Sequence, residues 1–270
     1  MPENSLRALT DAHCHPFDLV RAFPQAEHAR RQLNVLAAAS ACDMEEFTCN
    51  ENLSLKAAAE KAAPLLPCFA IHPQQLSAWK TNQKQECEKL LAILDELAAA
   101  GRIAAVGECG FDLYNAEFRE TEAWQEKVFA SHLEIALRYD LPIVLHVRRA
   151  LHKISLFIKE LAKCKAVVFH SWPSPPEEGF SLLRRGVNAY FSFGNSILNG
   201  NKKAASSCAL LPAERILTET DAPFQPVQGE GFSQWENLPR IIKATAALRS
   251  KDAGEIESQI EKNFREVFII

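Results

Sequence analysis

No two cysteines in this chain are spaced as Cys-x-x-Cys; the eight stand at 14, 42, 49, 68, 87, 109, 164 and 208. That argues against a zinc ribbon. No apolar run approaches the ~20 residues of a membrane-spanning helix. The opening MPENSLRALT is too polar for a secretory signal, so the expectation is a protein of the cytoplasm whose thiols stay reduced. Positive charge is not in excess either: the formal net charge is −4, which leaves no global field for coating nucleic acid. Glycine is scarce, at ten in 270 residues, and no glycine-rich phosphate loop follows the first apolar run. This weighs against a doubly wound open sheet. Gly/Ser linkers and low-complexity segments are missing too, so residues 1–270 are expected to form one domain.

What the chain does contain is alternation. Short runs rich in Val, Ile, Ala and Phe recur at 7–15, 33–40, 65–72, 102–110, 141–147, 165–171, 187–194 and 215–222. Helical patterns lie between and after them. In 83–101, Leu90, Leu91, Leu94 and Leu97 repeat at helical spacing and Gly101 supplies a C-cap. Further helices are expected over 121–140, 233–250 and 251–268, with Leu238-Pro239 breaking or opening one of them. Eight strands alternating with helices predict a closed parallel (β/α)8 TIM barrel.

The polar residues gather where the apolar runs stop. In LTDAHCHPFDL, His13 and His15 flank Cys14. Along a strand, side chains alternate, so the two imidazoles share a face about 6–7 Å apart and Cys14 points away. Alone, this stretch reads as two metal ligands or as two hydrogen-bonded strand histidines, the first favoured. Other runs end on His72, Glu108, His146, His170 and Asp221. In a parallel barrel these ends share one rim. Neutral imidazoles and ionised carboxylates are what divalent cations take up, and this set is enough for a two-metal site. Gly107 and Gly110 let backbone approach closely around Glu108. His28, His132 and His152 fall in helical patterns and are read as surface or packing residues.

The motifs DAHCH, AIHP, GECGFD, LPIVLHVRRA, VVFHS and LTETDAP, with the closing NFREVF, resemble in order those of the TatD-related metal-dependent deoxyribonucleases, from about residue 10 to 268. The resemblance implies a metal-dependent hydrolase barrel that cleaves phosphodiester bonds, with DNA or another phosphodiester as substrate. It implies two divalent ions, of the Mg, Mn, Zn, Ni or Co type. It assigns His13, His15 and Asp221 to one ion and His146 and His170 to the other, with Glu108 bridging. Asp221 would also take the proton of the attacking water. His72 is implied as a catalytic rim residue near the substrate phosphate. Arg148, two residues after His146, faces the same side and could hold a phosphate oxygen.

Some stretches depart from the family pattern: SWPSPPEEG after His170, GNSILNG after the seventh run, QPVQGEGFSQWENLP beyond Asp221, and Arg149 where the family often carries an acidic residue. Trp172 and Trp235 lie in two of these stretches and read equally as loop packing or as base-stacking platforms, worth about 1–3 kcal/mol per base. Two other functions use the same barrel. One is hydrolysis of an amide or ester, as in amidohydrolases or an aminoacyl-ester deacylase. The other is a non-catalytic metal-binding barrel. No membrane contact and no protein partner is indicated.

Overall fold

The computed structural model describes residues 8–79 and 82–269. Its strands are β1 (Leu9–Cys14), β2 (Val35–Ala39), β3 (Leu65–Phe69), β4 (Ala105–Asp112), β5 (Ile143–Arg148), β6 (Val167–Phe169), β7 (Ala189–Phe193) and β8 (Ile216–Thr218). They form one parallel sheet in the order β1 to β8, each beside its neighbour in sequence. All eight expected strands are present, and the fold is the (β/α)8 barrel. Arg7, the first residue of the first apolar run, lies outside the described residues.

Side chains close the ring where the β8 ladder is short. Asp11, fully buried on β1, accepts from the Thr220 backbone N–H at 2.9 Å and from the Thr220 hydroxyl at 2.6 Å. The Thr218 hydroxyl donates to the Thr10 carbonyl at 3.0 Å. Above them, Asp221 N–H reaches the His13 carbonyl at 2.9 Å and His15 N–H the Ala222 carbonyl at 2.8 Å. Burial pushes the Asp11 carboxyl up to about 7, against the pull of its Thr220 bonds.

The helices follow the periodicity. The Leu-rich segment forms helix Gln83–Ala99, burying Leu90, Leu94 and Leu97. Beyond it Gly101 adopts φ +64 and donates to Ala98, and Arg102 N–H donates to Leu97, a glycine-terminated cap. Segment 121–140 forms helix Glu122–Arg138. Pro239 opens helix Leu238–Arg249, after a 3-10 turn over Trp235–Asn237. Helix Ala253–Phe268 is capped by the Asp252 carboxylate, which accepts from the Gly254 and Glu255 N–H groups.

One expectation needs correction, and one pair of open readings is decided. Four of the rim residues lie past the strands rather than at their last positions. His15 caps the following helix, His170 comes one residue after β6, and His72 and Asp221 come three residues after β3 and β8. Irregular backbone there turns each side chain toward the barrel axis, which the pleat alone would not do. The tryptophans are core residues. Trp172 is 2% exposed, packs edge-on against Phe169 and Phe191, and donates its indole N–H to Ser207 Oγ at 3.3 Å. Trp235 is fully buried, in a cluster with Leu19, Ala222 and Leu238. Neither ring has a face open to a base.

Gly110 fixes the longest strand pair. Its φ is +126, and a Cβ there would lie 2.4 Å from the His146 carbonyl oxygen. Gly107 is similarly confined, with a Cβ 3.0 Å from Phe69 backbone. We expect Gly110→Ala to lower stability by roughly 2–4 kcal/mol, because strain and collision combine. Gly101→Ala, at left-handed φ but with open space around it, should cost about 1–2 kcal/mol. Urea unfolding midpoints of the two variants check the difference; equal losses would refute the close β4–β5 approach.

Candidate metal centre

The β-strand C-terminal ends open into a cavity of about 790 Å³ whose lining includes His15, His72, Glu108, His146, Arg148, His170 and Asp221. Glu108, on β4, is 6% exposed and lies at the hub of the cluster. Its Oε2 faces His13 Nε2 at 3.3 Å and His15 Nε2 at 3.4 Å. Its Oε1 faces His146 Nδ1 at 2.7 Å, His170 Nε2 at 3.1 Å and His72 Nε2 at 3.3 Å. One carboxylate thus divides five imidazoles into two sets. Asp221 Oδ1 joins the first, at 3.5 Å from His13 and 3.4 Å from His15. Three groups bring possible ligand atoms within 4.8 Å of one another: His13, His15 and Asp221; His13, Glu108 and His170; and His72, Glu108 and His146. Cys14 stays apart, as the alternation predicts, with Sγ 3.5 Å from the Ala38 carbonyl on the far side of β1.

A second layer of carboxylates decides which ring nitrogens face inward. His146 turns Nε2 to Asp112 Oδ2 at 3.1 Å, and His170 turns Nδ1 to Glu219 Oε1 at 3.3 Å. A proton on each outer nitrogen leaves the inner lone pair free, the arrangement found in carboxylate–histidine–metal triads. His72 differs: its Nδ1 accepts the Gln74 backbone N–H at 3.3 Å. In the neutral ring the proton then sits on Nε2, toward the cavity. Asp112 is held in turn by Gln74 Nε2 at 2.7 Å, and Asp221 Oδ2 by Gln225 Nε2 at 2.6 Å.

The electrostatics suit a cation. Burial alone would raise Glu108, but the imidazoles of His72, His13 and His170 outweigh it and hold the carboxyl well below the usual range. Asp221 is likewise lowered, its hydrogen bond with His15 overcoming burial. His13 and His72 are lowered chiefly by burial, which favours neutral rings. For His15, His146 and His170 burial is outweighed by the facing carboxylates, which raise the pKa, a positive charge that a divalent ion would supply instead. Glu219 Oε2 is buried without a hydrogen-bond partner among the described residues. Glu219 faces the outer nitrogen of His170 and belongs to none of the three groups that could hold an ion. The donor set of those three groups fits divalent metal.

The structure brings together every rim histidine and carboxylate expected from the sequence. Arg148 also lines the cavity, on the same side of β5 as His146. His28 and His152 are exposed and His132 is buried, within the surface-or-packing reading. Sequence reasoning missed Asp11, Asp112 and Glu219. All three had a readable signal: Asp112 lies at even spacing from Glu108 on one strand, Glu219 lies two residues before Asp221, and Asp11 lies two residues before His13 on β1. His132 acts across the fold and left no local mark.

An eight-stranded barrel carrying buried histidines and carboxylates on its C-terminal rim defines a metal-dependent hydrolase. Residues 10–269 match the TatD related DNase family, and the chain belongs to it. Membership carries hydrolysis of phosphodiester bonds as the class of chemistry. The chain is 31% identical over 205 residues to the 3'-5' ssDNA/RNA exonuclease TatD of Erwinia tasmaniensis, covering 73% of this chain and 76% of that protein. Against the protein of that name from Escherichia fergusonii it is 29% identical over 230 residues, covering 80% and 84%. The crystal structure of YJJV, a TatD homologue from Escherichia coli K12, superposes with a TM-score of 0.80 at 25% identity, covering 97% of this chain and 98% of that one.

His132 supports the site from behind. Its Nε2 accepts the Ile71 backbone N–H at 3.1 Å, next to His72, and burial depresses its pKa to about 3. The unfolded ring protonates near 6.5, so as pH falls the unfolded chain binds that proton first. Stability should therefore drop as pH falls from about 6.5 toward 3, by an amount on the order of 4 kcal/mol from this residue. His132→Gln keeps an acceptor without a titrating ring. It should flatten the decline over that window in denaturant unfolding; an unchanged slope would show that His132 charges freely in the fold.

Proposed function

We propose that this chain, as a single domain, hydrolyses phosphodiester linkages of single-stranded nucleic acid with two divalent ions, both of which Glu108 would help to hold. The carrying observation is the division of Glu108: Oε2 toward His13 and His15, Oε1 toward His146 and His170. His13, His15 and Asp221 would hold one ion, and His146 and His170 the other. The single-stranded DNA or RNA substrate is supported by the relatives' exonuclease activity. Eight unpaired thiols support a reducing compartment such as the cytoplasm.

When bound, the ions supply positive charge that offsets the phosphate's and acidifies water. The protein groups position and exchange protons. Asp221, ionised and steadied by Gln225, takes the proton of the attacking water. Arg148 holds a non-bridging phosphate oxygen. His72, whose Nδ1 is occupied by Gln74 N–H, presents Nε2–H to the phosphate and serves as a donor rather than a ligand. That tautomer argument separates His72 from the group in which its distances alone would place it.

Glu108→Gln should lose bound metal and turnover together, because it removes charge shared by both ion positions. His72→Ala should keep its metal and lose about 10²-fold or more in kcat, the range of a proton donor. Elemental analysis beside hydrolysis of a p-nitrophenyl phosphodiester and of single-stranded DNA, with and without chelator, reads both. Metal loss in His72→Ala would make it a ligand. Ester or amide hydrolysis without phosphodiester cleavage would overturn the reading.

A further inference from the structure

The mouth of the cavity is electrically lopsided. Asp18 and Glu46 line it on the β1–β2 side. Arg148 lines it on the β5 side, across an eight-stranded ring from β1. Arg149 follows, with φ +54. Consecutive residues of a strand point to opposite faces, but this left-handed residue swings the second arginine back beside the first. Both guanidiniums lie over Tyr114, at 3.8 Å from the ring centroid for Arg148 and 4.6 Å for Arg149.

Tyr114 is tied to the catalytic layer. Its N–H donates to Asp112 Oδ1 at 2.9 Å, and the other oxygen of that carboxylate holds His146. Its carbonyl accepts from Arg149 Nη1 at 3.5 Å and from Arg119 Nη1 at 3.4 Å. Tyr114 is 43% exposed, both arginines are exposed, and neither has an ion-pair partner among the described residues. Stacking on an aromatic face orients a guanidinium without using up its outward N–H donors. Two adjacent, unneutralised cations held in this way at the lip of a phosphate-handling cavity lack an anion.

We propose that Arg149 and Tyr114 form a second phosphate subsite, beyond the scissile phosphate, which takes the next phosphodiester of a single strand and sets its path out over the β4–β5 lip. The acidic β1–β2 lip repels that path. The inference deepens the nuclease reading and rests on it for the identity of the ligand. It makes the preferred substrate an oligonucleotide with at least two phosphodiesters, rather than a dinucleotide or a small diester.

The test is equilibrium binding by the metal-loaded full chain to fluorescein-labelled thymidylates with phosphorothioate linkages, which resist turnover, read by anisotropy across a salt series. The wild type should bind the hexamer more tightly than the dimer. Arg149→Glu should weaken hexamer binding roughly tenfold at low salt. It should also reduce the slope of log Kd against log salt by about 0.7, one single-strand phosphate contact, and change dimer binding less than twofold. Arg149→Lys should recover most of the affinity. Tyr114→Phe should behave as wild type, and Tyr114→Leu should follow Arg149→Glu in part. Equal hexamer binding by Arg149→Glu and wild type, or equal loss on dimer and hexamer, overturns the subsite. Failure of the nuclease reading shows separately, as no cleavage of ordinary phosphodiesters with any divalent ion, and leaves these binding curves to decide the subsite.

Discussion

Everything at the top of this barrel is arranged around one buried carboxylate. Glu108 is almost removed from water, and a lone ionised carboxylate there would cost several kcal/mol. Five imidazoles meet that cost and keep it charged. Their arrangement sets the local backbone: glycine on either side of the Glu108-Cys109 pair, and a β4 strand pressed so closely on β5 that Gly110 has no room for a Cβ. Positive φ at Arg149, Ser171 and Asp221, each just past a strand, brings side chains from three elements into reach. Such left-handed positions are unfavourable for non-glycine residues and collect where function over-determines the backbone.

The same economy joins barrel closure to the site. Asp11 holds the Thr220 backbone and hydroxyl, and the next backbone contacts run between Asp221 and His13 and between His15 and Ala222. The residues that shut the ring are therefore neighbours of those that would hold one ion. The separation of His13 from Asp221 depends on closure, and a barrel loosened at this seam would lose the ion position before it lost its core.

The stretches that depart from the family pattern have turned inward in places. Trp172 fills space between Phe169 and Phe191, and Trp235 fills space beside Leu19 and Leu238. Exposed aromatic surface lies instead at Phe224, which lines the cavity, and at Tyr114, against which two arginines stack. The tryptophans pack the altered connections, and the exposed cationic pair Arg148 and Arg149 stands at the β4–β5 side instead.

The sequence by itself determined the barrel and the histidines and carboxylates gathered at its rim. Strand and helix periods are local, and eight apolar runs separated by helical patterns admit few other folds. His13, His15, Glu108, His146, His170 and Asp221 were legible because each stands at or just past the end of such a run. Asp11, Asp112 and Glu219 carry the same even spacing. Only the tertiary structure decided the rest. The proton position on His72 depends on the Gln74 N–H, the support behind Ile71 comes from His132 some 61 residues away, and Asp11 meets Thr220 across 209. Which face of a loop tryptophan meets solvent, and whether two successive arginines diverge or converge, turns on single backbone angles and on partners distant in the chain. Local spacing carries no record of either, because it fixes which way a strand residue points and not what it meets.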